Sequence, residues 1–234
     1  MKRQALLILL AASSALAQGT FQNLDFEDAN LLDTSGQFGG LVSSLDAIPG
    51  WTAYYGNVQT SQVLQNNETL GNVNISILGP NWNFTPILQG KYSVLLQAGL
   101  VLSTTPTPAA IAQTGAIPVT ALSLQLLASQ VFGATFGTTI DRLQVSFNGQ
   151  NLSLIPLSST SNSILYGTDV STYAGTTGEL RISALPGATY SHNSFLIDSI
   201  EFSPVAIPEP AVLTLAALGT GFLIWRLRHR TRLP

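Results

Sequence analysis

Between residues 51 and 202 the apolar positions fall in short runs that alternate with Ser, Thr, Asn and Gln, a period of two rather than 3.6. The pattern predicts strands at Trp51–Tyr55, Val73–Leu78, Tyr92–Gln97, Ala121–Leu127, Leu143–Phe147, Leu152–Leu157, Glu179–Ala184 and Phe195–Phe202. Phe21, Leu24 and Phe26 open the β pattern, ahead of a turn-rich acidic stretch from Glu27 to Gly40. Leu122 to Leu127 also fits a helix. Asn148-Gly149 predicts a two-residue type I′ hairpin, whose central residues both need positive φ, with Gln150-Asn151 opening the returning strand. Ile48-Pro49-Gly50-Trp51 reads as a turn, and Pro106-Thr107-Pro108 and Ser158 to Ser163 as loops.

Many short strands without long helices must bury one face each, which two packed sheets or a barrel achieve. The expected fold is therefore all-β, a jelly-roll-like β-sandwich. Only 9% of residues are charged, so the surface is made polar by amides and hydroxyls. Cysteine is absent, which excludes disulfides, thiolate metal sites and a cysteine nucleophile.

Both ends break the alternation. Lys2-Arg3, the apolar stretch Ala5 to Ala12 and Ala15-Leu16-Ala17 have the order of a signal peptide, with cleavage after Ala17. Near the other end Pro208-Glu209-Pro210 precedes an apolar run from Ala211 to Trp225, then Arg226, Arg228, Arg230 and Arg232. Prolines stop a strand, the apolar run suits lipid, and arginines favour the cytoplasmic side. Fifteen residues are short against the roughly 20 that span a bilayer, which places Trp225 at the interface and lets Arg226 snorkel. A buried terminal helix is the other reading, but alternating arginines give it no polar face. The expected organisation is a signal peptide at 1–17, one exported domain at 18–203 and a C-terminal signal with a transmembrane helix at 204–234.

The triplet Pro208, Glu209, Pro210, the hydrophobic segment and the arginine cluster, in that order, resemble the PEP-CTERM sorting signal of bacterial exported proteins. The resemblance implies processing by an exosortase-type membrane protease near the triplet, after a signal peptidase has acted at the other end. It also implies a final location at the cell surface or in an extracellular polysaccharide matrix.

Residues 18 to 207 keep only Lys91, Arg142 and Arg181 as bases against eleven acids, a net charge of −8. An acidic body argues against nucleic acid as a partner, since phosphates need a basic face. Within it Asn23-Leu24-Asp25-Phe26-Glu27, Pro49-Gly50-Trp51 and the closing Phe195 to Phe202 look like the first and last strands of galactose-binding-like carbohydrate-binding modules. That resemblance implies a β-sandwich whose terminal strands are often tied by structural calcium, although the chain offers no clear row of exposed aromatics.

In a regular strand Leu196, Asp198, Ile200 and Phe202 share one face, which puts Asp198 among apolar neighbours. A buried carboxylate must find compensation. Three partners are open to it: backbone N–H groups of a loop, Arg142 or Arg181, or calcium shared with Asp25 and Glu27. Sugar recognition needs an aromatic face with amides or carboxylates around it. Trp82, in Gly79-Pro80-Asn81-Trp82-Asn83-Phe84, and the pair Tyr54 and Tyr55 are the candidates, with packing beneath a loop as the competing role for Trp82 and a core role for Trp51.

Catalysis has little support. The body has one histidine, His192, and neither a Gly-x-Ser-x-Gly elbow nor a His-Glu-x-x-His helix. Adjacent Ser191, Ser194 and Asp198 do not make a triad, which is assembled across a fold. The expectation is a non-enzymatic exported protein that contacts polysaccharide. A purely structural surface protein and a polysaccharide hydrolase with a carboxylate pair are the alternatives.

Overall fold

A computed structural model describes residues 19–32, 39–101, 105–132, 142–187 and 192–207. The predicted signal cleavage residues Ala15 and Ala17, the triplet Pro208, Glu209 and Pro210, and Trp225, Arg226, Arg228, Arg230 and Arg232 lie outside the described residues. Among the described residues no helix is long and apolar enough to cross a membrane.

The strands are β1 (Leu41–Ser43), β2 (Thr52–Tyr55), β3 (Val58–Thr60), β4 (Gln62–Gln65), β5 (Asn74–Leu78), β6 (Ser93–Val101), β7 (Thr105–Thr107) and β8 (Ala109–Ala116). There follow β9 (Ser123–Phe132), β10 (Leu143–Phe147), β11 (Gln150–Leu152), β12 (Ile155–Ser159), β13 (Ile164–Asp169), β14 (Thr177–Ala184) and β15 (Asn193–Ser203). They form two sheets. The larger has the order β1-β4-β5-β6-β15-β9-β13-β12, with β7 paired to β6, and the smaller β11-β10-β14-β8-β2-β3. β4 and β5 run parallel; the other pairs of named strands are antiparallel. The fold is an all-β sandwich.

Alternation explains the packing. Ile75 and Ile77 of β5, Val94 and Leu96 of β6, Leu124 and Leu126 of β9, and Phe195 and Ile197 of β15 project between the sheets. There they meet Ile111 of β8, Val145 and Phe147 of β10, and Leu180 and Ile182 of β14. The hairpin forms as predicted: Asn148 and Gly149 have φ of 49° and 75°, and Phe147 pairs with Gln150.

Three expectations are corrected. Residues 21 to 26 make no strand, because Asn23 and Phe26 adopt φ of 48° and 59°; Phe21, Leu24 and Phe26 are nonetheless core. Pro106-Thr107, read as loop, belong to β7, while Leu122 to Leu127, read as a strand with a helix as the alternative, enters β9. The predicted strand Leu152–Leu157 divides into the end of β11 and the start of β12.

Candidate functional site

The three stretches that suggested a carbohydrate-binding module converge. Asn23 is held by its own side chain, whose Nδ2 donates to the Pro49 carbonyl at 3.0 Å and whose Oδ1 accepts the Asp28 N–H at 3.0 Å. The Asn23 carbonyl accepts the Trp51 indole N–H at 3.0 Å, and Trp51 packs against the Phe26 ring at 5.9 Å. The Leu24 carbonyl accepts the Ile200 N–H at 2.9 Å. Residues 19 to 25 thus lie beside the last third of β15, with Phe21 stacked on Phe202 at 5.2 Å.

β15 is irregular at that point. Its register against β9 shifts between Asp198 and Glu201, and Ser199 takes a left-handed φ of 48°. A bulge reverses the facing of all residues beyond it. Phe195 and Ile197 point into the main core before the bulge, and Ile200 and Phe202 after it. Leu196 therefore does not share a face with Ile200 and Phe202 as predicted. It packs in a second cluster with Leu78, Trp82 and Leu95 on the outer side of the sheet, under the connection between β5 and β6.

Asp198, only 1% exposed, is satisfied by that connection and by the bulge. One oxygen accepts from Ser93 Oγ at 2.7 Å and from the Gln89 N–H at 3.1 Å; the other accepts the Ser199 N–H at 2.6 Å. Burial pushes its carboxyl up to about 6, and the bonds from Ser93, Ser199 and Gln89 pull the other way. Ser199 Oγ in turn donates to Gln89 Oε1 at 2.6 Å. Of the three partners open to Asp198, backbone N–H groups with a serine hydroxyl are the ones it has. Arg181 sits in the other sheet, its guanidinium 4.4 Å from the Tyr54 ring centre and Nη2 donating to the Gly56 carbonyl at 2.7 Å.

The side chains expected to share calcium are each engaged separately. Glu27 Oε1 accepts the Lys91 and Tyr92 N–H groups at 2.7 and 3.1 Å, and Asp25 Oδ1 accepts the Glu27 N–H at 3.3 Å. Among the described residues no three His, Asp or Glu side chains gather as a metal site. Residues 89–93 tie the turn at residues 23–27 to β15 here: Glu27 holds the Lys91 and Tyr92 N–H groups, and Asp198 the Gln89 N–H and the Ser93 hydroxyl. Gly90 allows that approach: it has φ of 62°, and a Cβ there would lie 2.1 Å from Glu27 Oε1 unless the Glu27 side chain left its hydrogen bonds.

Beside the tie lies an open groove of about 610 Å³, lined by residues 19 to 25, by Gln89 and by residues 199 to 201. Its rim carries the exposed side chains of Gln22, Asp25, Gln89 and Glu201. Of these only Asp25 was singled out from sequence. Gln22, Gln89 and Glu201 come from three distant segments, and the one local clue was the Asp198-Ser199 interruption in an otherwise apolar run. The aromatic candidates lie elsewhere. Trp82 is 5% exposed and rests against Phe84 and the second cluster, so the stacking platform predicted from its loop is corrected to a packing role. Tyr54 is half-buried beneath Arg181, and Tyr55 packs on the core, where burial raises its phenol. Neither Tyr54 nor Tyr55 lines the groove.

No family model and no curated protein matches the chain. Among solved structures, the enzymatically active domain of tailspike protein 4 from bacteriophage CBA120 resembles it with a TM-score of 0.34 and 16% identity, over 75% of this chain and 21% of that one. The chain spans about a fifth of the length of that structure, and a likeness this distant bears on neither fold nor activity.

Proposed function

We propose that this chain is an exported surface or matrix protein, carried out by its N-terminal signal and sorted by the PEP-CTERM-like segment at residues 204–234, with a non-enzymatic, jelly-roll-like body that contacts polysaccharide. Signal peptidase and an exosortase-type protease are the processing partners of this reading, and the membrane holds the precursor. The supports for sorting are the ordered basic, apolar and small-residue pattern at one end and the Pro-Glu-Pro, apolar and arginine pattern at the other. The chain's repeated passage from one sheet to the other, as in β8 to β9 to β10, favours the jelly-roll description.

The observation that carries glycan contact is the groove. Amide, hydroxyl and carboxylate groups of Gln22, Gln89, Ser199, Asp25 and Glu201 surround a concave surface, the chemistry that sugar hydroxyls require. The body's net charge of −8 suits a neutral or basic polymer. A glycan array probed with the protein tests this: binding that is lost in a Gln22→Ala, Glu201→Ala double variant with unchanged melting supports the groove. Absence of binding to every glycan leaves the purely structural reading.

Asp25 and Glu201 on one groove also raise hydrolysis. A general acid is built from a carboxyl drawn out of water. Asp25 and Glu201 are exposed, and the buried Asp198 stands outside the groove with both oxygens engaged. Binding without cleavage is the reading that fits, and release of reducing ends from a bound polysaccharide would replace it.

A further inference from the structure

The two ends of the described domain leave it at one place. Thr20 and Ala116 exchange hydrogen bonds, the Thr20 N–H to the Ala116 carbonyl at 3.3 Å and the Ala116 N–H to Thr20 Oγ1 at 2.6 Å. The chain after β15 is fixed to the same neighbourhood: the Leu122 N–H donates to the Ser203 carbonyl at 2.8 Å, and Ser123 Oγ to the Val205 carbonyl at 2.7 Å. The turn before β14 joins them, with the Gly175 N–H on the Ile117 carbonyl at 3.0 Å and the Val170 N–H on the Leu122 carbonyl at 3.1 Å. Segment 116–123 therefore connects the entry of the chain, its exit and the 170–176 turn into one surface.

That surface has unusual chemistry for an acidic body. Residues 19–22, 116–123, 170–177 and 202–207 contain no Asp, Glu, Lys or Arg. Apolar side chains stand out from it instead, with Val119 80%, Leu122 39% and Val205 66% exposed. Two carboxylates border it along the chain: Asp169, which turns an oxygen onto the Ser171 N–H at 2.8 Å, and Glu201, which stands on the rim of the groove. Directly after Ile207 come the three residues Pro208 to Pro210 and then the apolar run from Ala211. The four steps from Ile207 to Ala211 reach at most about 14 Å. If the run enters lipid, this surface cannot stand farther than that from the headgroups.

We infer that the uncharged face around Val119, Leu122 and Val205 rests on the lipid surface of the membrane that holds the tail, so that the body docks on the bilayer instead of swinging free of it. The inference rests on the membrane-anchored reading above. Lipid is the occupant because the chain leaves this neighbourhood toward the apolar run from Ala211, and because the face lacks the charges that would favour either a protein partner with salt bridges or a polyanion. Neutral headgroups suit it better than anionic ones, given the body's charge.

The chain has no cysteine, so single labels are simple to introduce. Val119→Cys and Val205→Cys probe the face, Asn162→Cys in the turn between β12 and β13 probes the opposite end, and Leu215→Cys probes the tail. Each full-length variant carries a polarity-sensitive fluorophore and is reconstituted in phosphatidylcholine vesicles containing spin-labelled lipid. The expected result is loss of most emission from the labels at 119, 205 and 215, with the label at 162 unaffected. Quenching at 215 without quenching at 119 and 205 overturns docking and leaves anchoring intact. No quenching at 215 overturns the anchored reading itself, and docking with it.

Discussion

Asp198→Asn removes a buried charge while keeping the size of the side chain. In the folded protein the carboxyl is pushed from 3.8 to about 6, chiefly by burial. Because the folded value lies above the unfolded one, the native state holds the proton more tightly. The resulting stabilisation is complete below pH 3.8 and is lost as pH rises through about 6. At about 1.4 kcal/mol per pH unit, the difference amounts to roughly 2 to 3 kcal/mol once partial screening near the groove is allowed for. Asparagine cannot ionise, but its amide places a donor where one carboxylate oxygen now accepts from Ser93, Gln89 or Ser199. The variant therefore carries a cost from this lost bond that does not change with pH, and its deficit against the unaltered protein is largest at pH 4 and narrows by roughly 2 to 3 kcal/mol toward pH 7. Urea melts at pH 4, 5.5 and 7 measure both curves, and subtraction cancels carboxylates common to the two proteins. Parallel curves across this window refute the argument that burial of Asp198 controls the local proton affinity.

Gly90→Ala forces a Cβ against Glu27 Oε1 at a left-handed φ, and thermal melts should show a loss of about 1 to 3 kcal/mol; wild-type stability means that the tie between residue 27 and residues 91 and 92 is not needed. Trp82→Ala empties the second cluster and should cost about 3 to 5 kcal/mol in urea, whereas an unchanged midpoint would return Trp82 to the surface. Chelation with EDTA leaves the melting temperature unchanged, because Glu27 and Asp198 are compensated by hydrogen bonds; a lowered temperature restores calcium to Asp25, Glu27 and Asp198.

Much of the sandwich is visible in the residues because the period of two is a local property. β10 and the Asn148-Gly149 turn follow from alternation and from the need for positive φ, and both are where the pattern puts them. β8 was missed because Ala-Ala-Ile-Ala-Gln-Thr-Gly-Ala has little β-branched or aromatic character; its strand is imposed by β14 and β2 on either side. The burial of Asp198 was predictable from its neighbours, but its facing was not, since a bulge at Ser199 depends on which strands pair there. The groove was least visible of all. Gln22, Gln89 and Glu201 are polar residues of ordinary local context, and only tertiary pairing makes them neighbours.

Delivery of the body outside the cytoplasm, with the C-terminal segment in the membrane, is the proposal on which the others rest. The most direct measurement labels Asn162→Cys in intact cells with a membrane-impermeant maleimide, followed by separation of membrane and soluble fractions. Labelling is expected without lysis, on a membrane or surface species that has lost residues 1–17. Labelling only after lysis, on a full-length cytosolic species that keeps those residues, contradicts it.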